Sequence, residues 1–252
     1  MEGRYLYCIA EGGAPASLGR IGIEGSEVYY SVPFKDLCAV VHDCPAEPYR
    51  SENQEKMVIW AVAHQQVVEE AWKGSRSVIP VRFGTIVKGH LDGLNGWLND
   101  NYESLRKDIE RFRGKEEYGV QVFWNADVIA ERLIETIPEL KGLKMETEAS
   151  QGGAAYMHKQ LFDKKLRQEM ESEAGLRFKE LCYRIKERVE ELNIEKTKET
   201  SRSVEMLMNL SCLVHRERAM DLIEELDMIN RMDNFTIRLT GPWPPYSFAG
   251  LG

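Results

Sequence analysis

Histidines and cysteines are the side chains of this sequence that could bind a metal ion or act as nucleophiles. The sequence has five of each, and no two histidines have the three- or four-residue spacing of a helical metal site. It has no Cys-x-x-Cys pair, and Cys38 and Cys44 are too widely spaced for a zinc knuckle. His64 lies on the apolar face of a predicted helix, where a hydrogen-bonded core histidine is more common than a ligand. We therefore expect no bound metal and no catalytic residue among these side chains.

Glycines and paired carboxylates are the next groups that could do chemistry. The glycine repeat of residues 19–25 lacks the lysine and hydroxyl of a phosphate-binding loop, and the glycines of residues 89–96 do not follow a predicted strand. Each segment is more typical of a turn. Carboxylate pairs such as Glu69-Glu70 lie among basic residues in predicted helices, as on a solvated face. The sequence therefore predicts no cofactor and no enzymatic activity.

The composition limits the classes of partner. The formal net charge is −8 and the hydrophobic content is 43%, which is ordinary for a folded protein. An acidic balance disfavours nucleic acids and anionic membranes, since both attract basic surfaces. No apolar run is long enough to span a bilayer, and no signal peptide opens the chain. Five cysteines at irregular spacing suit a reducing compartment. We expect a soluble cytoplasmic protein whose cysteines at positions 8, 38 and 212 are buried in strands.

The first part of the chain, residues 1–115, predicts an α/β domain. Short apolar segments bounded by glycine and proline are typical of strands, and apolar residues at three- and four-residue spacing are typical of helices. The predicted strands span residues 4–10, 28–32, 37–42 and 78–83, and the predicted helices span residues 51–74 and 91–113. Glycine and charged residues at 114–118 interrupt this pattern and indicate a domain boundary.

Residues 116–240 predict a second domain, an α+β sandwich of modified ferredoxin-like type with a long helix. The predicted elements are a strand at 120–124, a helix between Asn125 and Pro138, a long helix from Gly152 to about 192, a strand at 203–214, a helix at 216–229 and a strand at 235–240. Helical crossovers between strands place the helices on a sheet face. A helix of about 40 residues would be about 60 Å long. It either breaks near Gly175 or projects beyond its core.

Two internal segments are unusual enough to suggest contact with a partner. Residues 78–85 form an apolar strand that carries Arg82, which is either a structural ion-pair partner, the role we favour, or part of an exposed binding edge. Residues 153–157 place small side chains beside Tyr156 at the start of the long helix, so that another element can approach closely. We include Arg82 and Tyr156 among the expected partner-binding residues.

The third unusual segment is the C-terminal tail, residues 241–252. Its prolines favour an extended backbone, and Trp243, Tyr246 and Phe248 supply large apolar surfaces. A solvated tail has little physical reason to carry three aromatic residues. The tail therefore either folds back over its own sheet or docks on a partner, and we include its three aromatic residues among the expected partner-binding residues.

Four sequence motifs occur in order along the chain, at Tyr5 to Ile9 (Y-L-Y-x-I), Pro80 to Thr85 (P-V-R-F-G-T), Gly153 to Met157 (G-x-A-Y-M) and Leu239 to Phe248 (L-T-G-P-W-P-P-Y-S-F). With these motifs the sequence resembles the gas vesicle protein GvpL/GvpF family over essentially its whole length. Met157 stands where leucine is expected, a conservative departure. The resemblance implies two α/β domains, a tail rich in aromatic residues and proline, no catalytic activity, and an accessory role in building gas vesicles, the hollow protein shells that provide buoyancy.

The resemblance also implies contact with the small hydrophobic shell protein and with other accessory proteins. A shell subunit exposes apolar surface before it polymerises, and an acidic protein with sheet edges and aromatic side chains can cover that surface temporarily. We expect this contact to involve the second domain and the tail. A protein with this contact would be an assembly factor or a minor structural component of the vesicle. The alternative is a small-molecule-binding protein or enzyme on a ferredoxin-like fold, which a deep pocket with converging titratable groups would favour.

Overall fold

The protein is described by a computed structural model that covers residues 2–12, 17–31, 33–75, 77–89, 91–197 and 204–250. Two ends of predicted strands, Val32 and Ser203, lie outside these residues, as do the last two residues of the predicted tail. The chain forms two compact units: the first comprises Met1–Glu117 and Gly241–Gly252, and the second comprises Tyr118–Thr240. The C-terminal segment, predicted from sequence as a separate tail, is thus grouped with the first unit.

The first unit contains an antiparallel sheet and two long helices. In chain order its elements are β1 (Glu2–Glu11), β2 (Ser17–Gly19), β3 (Val28–Tyr30), β4 (Leu37–Pro45), α1 (Gln54–Gly74), β5 (Val78–Pro80), β6 (Ile86–Lys88) and α2 (Leu91–Phe112). The strand order is β2-β3-β4-β1-β5, and β6 also pairs with β1. Strand β1 is antiparallel to β4, β5 and β6. It is therefore the central strand to which the surrounding elements are joined.

Helix α1 covers one face of this sheet. It begins at a side-chain cap, in which the Asn53 side chain accepts a hydrogen bond from the Lys56 amide at 3.2 Å. Its buried face packs Trp60 and Val67 against Tyr5 and Tyr7 of β1. Burying two tyrosine rings in this way stabilises the unit by several kcal/mol, at about 25 cal/mol per Å² of apolar surface.

The predicted strand at residues 78–83 is shorter in the structure. Strand β5 ends at Pro80, and the chain then turns, with the Thr85 amide donating to the Arg82 carbonyl at 3.3 Å. Gly84 has φ of 87°, a backbone conformation that glycine adopts without steric cost. The expectation that Arg82 lies within a strand is therefore wrong: Arg82 and Phe83 lie in the turn that leads to β6.

The second unit is built around another sheet. Its elements are β7 (Lys115–Asn125), α3 (Ala126–Thr136), α4 (Pro138–Ala149), α5 (Gly152–Lys186), β8 (Glu191–Ile194), β9 (Val204–His215), α6 (Ala219–Asn230) and β10 (Phe235–Trp243). The strand order is β10-β7-β9-β8, with β8 antiparallel to β9. Helix α4 and strand β8 were not predicted from the sequence. The mixture of helices and strands confirms the predicted fold class at this coarse level, and the structure adds that the strand pairs are antiparallel.

Helix α5 is continuous over 35 residues, which corresponds to about 52 Å. It passes through Gly175 without a break, since one glycine inside a helix costs only about 1 kcal/mol. It ends at Lys186 and not near 192, because residues 191–194 pair with β9 instead. In the described segments, no helix is both long and apolar enough to cross a membrane.

The C-terminal segment does not remain extended. Strand β10 continues to Trp243, after which the amides of Phe248 and Ala249 donate to the Pro245 carbonyl at 3.3 and 3.1 Å. The predicted polyproline-like conformation therefore does not extend past Pro244, and the turn directs the following side chains back toward the first unit.

Candidate functional site

A surface cavity in the first unit brings together three of the residues singled out from sequence. It has a volume of about 420 Å³ and is lined by residues from α1, the turn after β5 and the C-terminal segment: Ala61, His64, Gln65, Val81, Arg82, Phe83, Trp243 and Tyr246. Arg82, Trp243 and Tyr246 are the predicted residues among them. We call this feature the tail cavity. Its volume lies within the range typical of ligand-binding pockets.

The C-terminal segment is held in place by a buried carboxylate. Glu117, near the start of β7, accepts hydrogen bonds from the Ser247 amide at 2.8 Å and from the Ser247 hydroxyl at 2.7 Å. Arg111 donates to the Phe248 carbonyl at 3.4 Å, and the Phe248 side chain is only 6% exposed. Because Phe248 is buried, it fixes the segment and does not present a surface to a partner.

The wall of the tail cavity contains a histidine whose two ring nitrogens are both occupied. His64 Nε2 lies 3.0 Å from the Val81 carbonyl, which can only accept, so this nitrogen carries the proton. The other nitrogen, Nδ1, therefore accepts from the Tyr5 hydroxyl at 3.0 Å. The same hydroxyl oxygen accepts from the Gly84 amide at 2.9 Å. His64 is thus a hydrogen-bonded core residue, as its apolar helix face predicted.

A second histidine extends this network beneath the cavity. His42 contacts the Tyr7 hydroxyl at 2.8 Å and the Tyr49 hydroxyl at 3.0 Å, and its ring stacks on Tyr5 with centroids 5.0 Å apart. Burial lowers the pKa of both His42 and His64 to about 4. Burial also raises the pKa of Tyr5 and Tyr7 well above the usual range. At neutral pH the network is therefore uncharged.

Tyr246 leaves one polar atom unsatisfied at the tail cavity. Its hydroxyl oxygen is buried and has no hydrogen-bond partner among the described residues. Burial raises the pKa of this phenol, so it stays protonated at neutral pH. A buried hydroxyl without a partner costs about 1–3 kcal/mol. An acceptor supplied by a bound molecule would remove that cost, which makes Tyr246 a suitable contact for a partner.

An apolar patch on α1 adjoins the tail cavity. Residues 57–63 are all apolar, yet Val58, Ile59 and Val62 are 61%, 66% and 55% exposed. Helices that are apolar on every side are normally buried. Val58 and Val62 are one turn apart, on the helix face that also carries the cavity-lining residue Ala61. We call these three exposed residues together with the tail cavity the docking surface.

The structure separates the residues that the sequence analysis grouped together. Arg82 is exposed and forms no ion pair within the described part of the chain, and it lies at the tail cavity with Trp243 and Tyr246. Phe248 belongs to the core. Tyr156 lies on α5 of the second unit, is 65% exposed and accepts a hydrogen bond from the Gln160 side chain at 2.7 Å. The docking surface therefore contains three of the five residues.

The exposed patch of α1 was not predicted from the sequence. The helical spacing of residues such as Trp60 and Val67 identifies only the buried face of this helix. The available signal was the unbroken apolar run of residues 57–63, because such a run leaves apolar side chains on the opposite face as well.

The cysteines lie mainly in the core. Cys8, Cys38 and Cys212 are buried in strands, as predicted, and none of the five cysteines forms a disulfide. Burial raises the pKa of Cys8, so its thiol stays protonated. Within the described ranges, no three histidine, cysteine or acidic side chains are grouped so as to hold a metal ion.

Comparison with known proteins gives a consistent result over the whole chain. Residues 3–250 match the family model for gas vesicle synthesis protein GvpL/GvpF. The sequence is 30% identical to gas vesicle protein L1 of Halobacterium salinarum, with 98% of this chain and 90% of that protein covered. It is 28% identical to gas vesicle protein F of a Streptomyces species, covering 97% of this chain and 98% of that protein.

Solved structures share the fold. The crystal structure of GvpF from Anabaena sp. PCC7120 is similar, with a TM-score of 0.77, 20% sequence identity and full coverage of both chains. The crystal structure of GvpF from Microcystis aeruginosa has a TM-score of 0.68 and 18% identity over 99% of each chain.

Proposed function

The chain belongs to the gas vesicle GvpL/GvpF family, as its motifs predicted, and from this premise we propose that it is an accessory protein of gas vesicle assembly that binds the hydrophobic shell protein. The observation that carries the proposal is the docking surface: exposed Val58, Ile59 and Val62 beside a cavity rimmed by aromatic side chains. Exposed apolar patches of this kind mark interaction sites.

The strength of this contact suits a temporary partner. Completing the burial of three half-exposed aliphatic side chains contributes about 3 kcal/mol, which alone corresponds to a weak complex. Trp243 and Phe83 at the cavity add aromatic contact area, and the Tyr246 hydroxyl offers a polar contact. A complex of moderate affinity would cover a shell subunit before polymerisation and release it to the growing wall.

The position of the C-terminal segment changes which unit we propose for this contact. The contact expected from the sequence involves the second domain and the tail, whereas Trp243 and Tyr246 line a cavity of the first unit. We therefore propose the first unit as the binding unit. We also propose that the two compact units are domains. The element order from β7 to β10 and the strand order β10-β7-β9-β8 support a ferredoxin-like description of the second.

The proposal includes association with gas vesicles in the cytoplasm and contact with other accessory proteins. The alternative function, a small-molecule-binding protein or enzyme, has less support at this site. The ionisable groups at the tail cavity are His64, Arg82 and Tyr246, and neither His64 nitrogen is free to act as a base. The side chains of the cavity walls are therefore better suited to binding a partner than to acid–base catalysis.

Introducing charge into the α1 patch tests the proposal. The double variant Val58→Asp/Val62→Asp is expected to reduce capture of co-expressed shell protein at least about tenfold, because two desolvated carboxylates would face the apolar partner. Both positions are exposed, so the variant should fold. Affinity capture with tagged protein, followed by quantification of bound shell protein, measures the effect.

The matched control adds the same charge to another helix of the first unit. Asn99→Asp/Ser104→Asp changes two exposed side chains of α2, neither of which belongs to the docking surface, and is expected to capture shell protein at the level of the unmodified chain. Equal capture by both double variants would show that the α1 patch is not the binding surface.

A further inference from the structure

A second groove, unrelated to the docking surface, lies in the second unit. It has a volume of about 500 Å³, and it is lined by the end of β7, the start of β9 and one face of α5: Trp124, Asp163, Leu166, Arg167, Met170, Glu171, Ala174 and Glu205. We call it the α5 groove. Nothing in the proposed contact with the shell protein uses these residues, so the groove requires its own explanation.

The floor of the α5 groove is apolar and elongated. Leu166, Met170 and Ala174 recur at four-residue spacing along α5 and pack partly buried against the core, where Trp124 is almost fully buried. From Asp163 to Ala174 the helix rises by about 16 Å, or three turns. The floor therefore matches the length of a short helical segment laid along α5.

The rim of the groove is acidic. It carries three carboxylates, those of Asp163, Glu171 and Glu205, and one guanidinium, that of Arg167, so its formal charge is −2. The Glu205 carboxylate accepts from Trp124 Nε1 at 3.3 Å. Such a rim attracts a cationic partner and repels an anionic one.

The acidic side chains of α5 that border the groove differ from the others in their ion pairing. Those outside the groove, Glu169, Glu173 and Glu180, each form an ion pair with a lysine or arginine at 3.2 Å or less. Asp163 and Glu171, which border the groove, form none with the described residues. The helix thus satisfies its other carboxylates internally and leaves the two at the groove available.

We propose that the α5 groove binds a short amphipathic helix of a partner protein whose polar flank is basic. An amphipathic helix places apolar anchors at three- and four-residue spacing, which fits a floor built from the same spacing on α5. Lysine or arginine on its flank pairs with Asp163 and Glu171. Tyr156, two turns before Asp163 on the same face of α5, provides an exposed aromatic contact at one end.

Binding of designed peptides to the full chain tests this proposal. Three synthetic peptides of about 14 residues share one leucine face: one has lysine on its flanks, one has glutamate, and one has lysine with a central proline that prevents a helix. The chain is labelled with 5-fluorotryptophan, and the Trp124 signal is assigned with Trp124→Phe. We expect the helical lysine peptide to shift this ¹⁹F signal saturably, with at least about tenfold higher affinity than the glutamate peptide.

Charge reversal locates the binding site. Asp163→Lys/Glu171→Lys is expected to weaken binding of the lysine peptide about tenfold. Glu224→Lys/Asp227→Lys, which reverses two exposed carboxylates on α6, is expected to change it less than about twofold. Circular dichroism confirms that each variant is folded. Val58→Asp/Val62→Asp should bind the peptide normally, so this test is independent of the proposed contact with the shell protein.

Four results would overturn the proposal. Equal affinities for the lysine and glutamate peptides would show that the acidic rim does not select the partner. If no peptide changes the ¹⁹F signal of Trp124, the α5 groove is not the binding site. Equal binding of the proline peptide would indicate an extended occupant. If the chain forms a dimer and the variant Asp163→Lys/Glu171→Lys is a monomer, the occupant of the groove is a second copy of the chain.

Discussion

A chain ending at Thr240 is expected to lose most of its capture of shell protein and about 5 kcal/mol of its free energy of unfolding. Removing the buried Phe248 side chain and the partly buried Tyr246 costs roughly 2 kcal/mol each. The Glu117 carboxylate, buried and deprived of its two bonds from Ser247, adds about 1–3 kcal/mol. Urea unfolding of both chains and affinity capture measure the two effects.

A variant of the complete chain separates binding from stability in this experiment. Trp243→Ala keeps Ser247 and Phe248 in place but removes an aromatic side chain from the tail cavity. Its capture of shell protein should fall several-fold while its free energy of unfolding changes by less than about 1.5 kcal/mol. Undiminished capture by both Trp243→Ala and a folded truncated chain would refute a role for the C-terminal segment in binding.

Acidification from pH 7 to pH 5 is expected to lower the free energy of unfolding by about 3–4 kcal/mol through two histidines. The pKa of His42 and of His64 is about 4 in the folded protein, against an ordinary 6.5. Between these values the unfolded chain binds protons that the folded chain does not, so lowering the pH favours unfolding. This loss begins below about pH 6.5 and stops growing below about pH 4. Urea unfolding at half-unit pH intervals measures it.

Histidine variants show whether this network is the cause. His64→Gln removes one of the two groups and is expected to reduce the acid-dependent loss by about half, although its stability at pH 7 also falls. His158→Gln changes a histidine on α5 and should leave the loss caused by His42 and His64 intact. If the free energy of unfolding of His64→Gln depends on pH as strongly as that of the unmodified chain, His64 is not a cause of the acid-dependent loss.

The elements predicted well from sequence are those with strong local patterns. The strict alternation in β9 and the helical spacing in α1 and α2 each identify an element by the face that it buries. The missed elements have misleading local signals. Helix α3 ends just before Pro138, as predicted, but Pro138 is also the first residue of α4, where its missing amide hydrogen costs nothing.

Strand β8 shows a different limit of the local pattern. Val189 and Leu192 continue the helical spacing of α5, yet residues 191–194 form a strand. The Leu192 position pairs with Cys212 of β9, which lies twenty residues further along the chain. Backbone pairing with a distant segment here outweighs a local helical preference, as tertiary context commonly does.

The sequence by itself determined the family and the coarse mixture of helices and strands, and it singled out Arg82, Trp243 and Tyr246, which the structure places at one cavity. Short-range spacing and distinctive motifs carry that information. Only the tertiary structure decided that the C-terminal segment packs with the first unit, that Phe248 is buried, and that the patch of α1 remains exposed. These outcomes depend on contacts such as the one between Glu117 and Ser247, 130 residues apart, whose energy belongs to the folded arrangement and not to any local pattern.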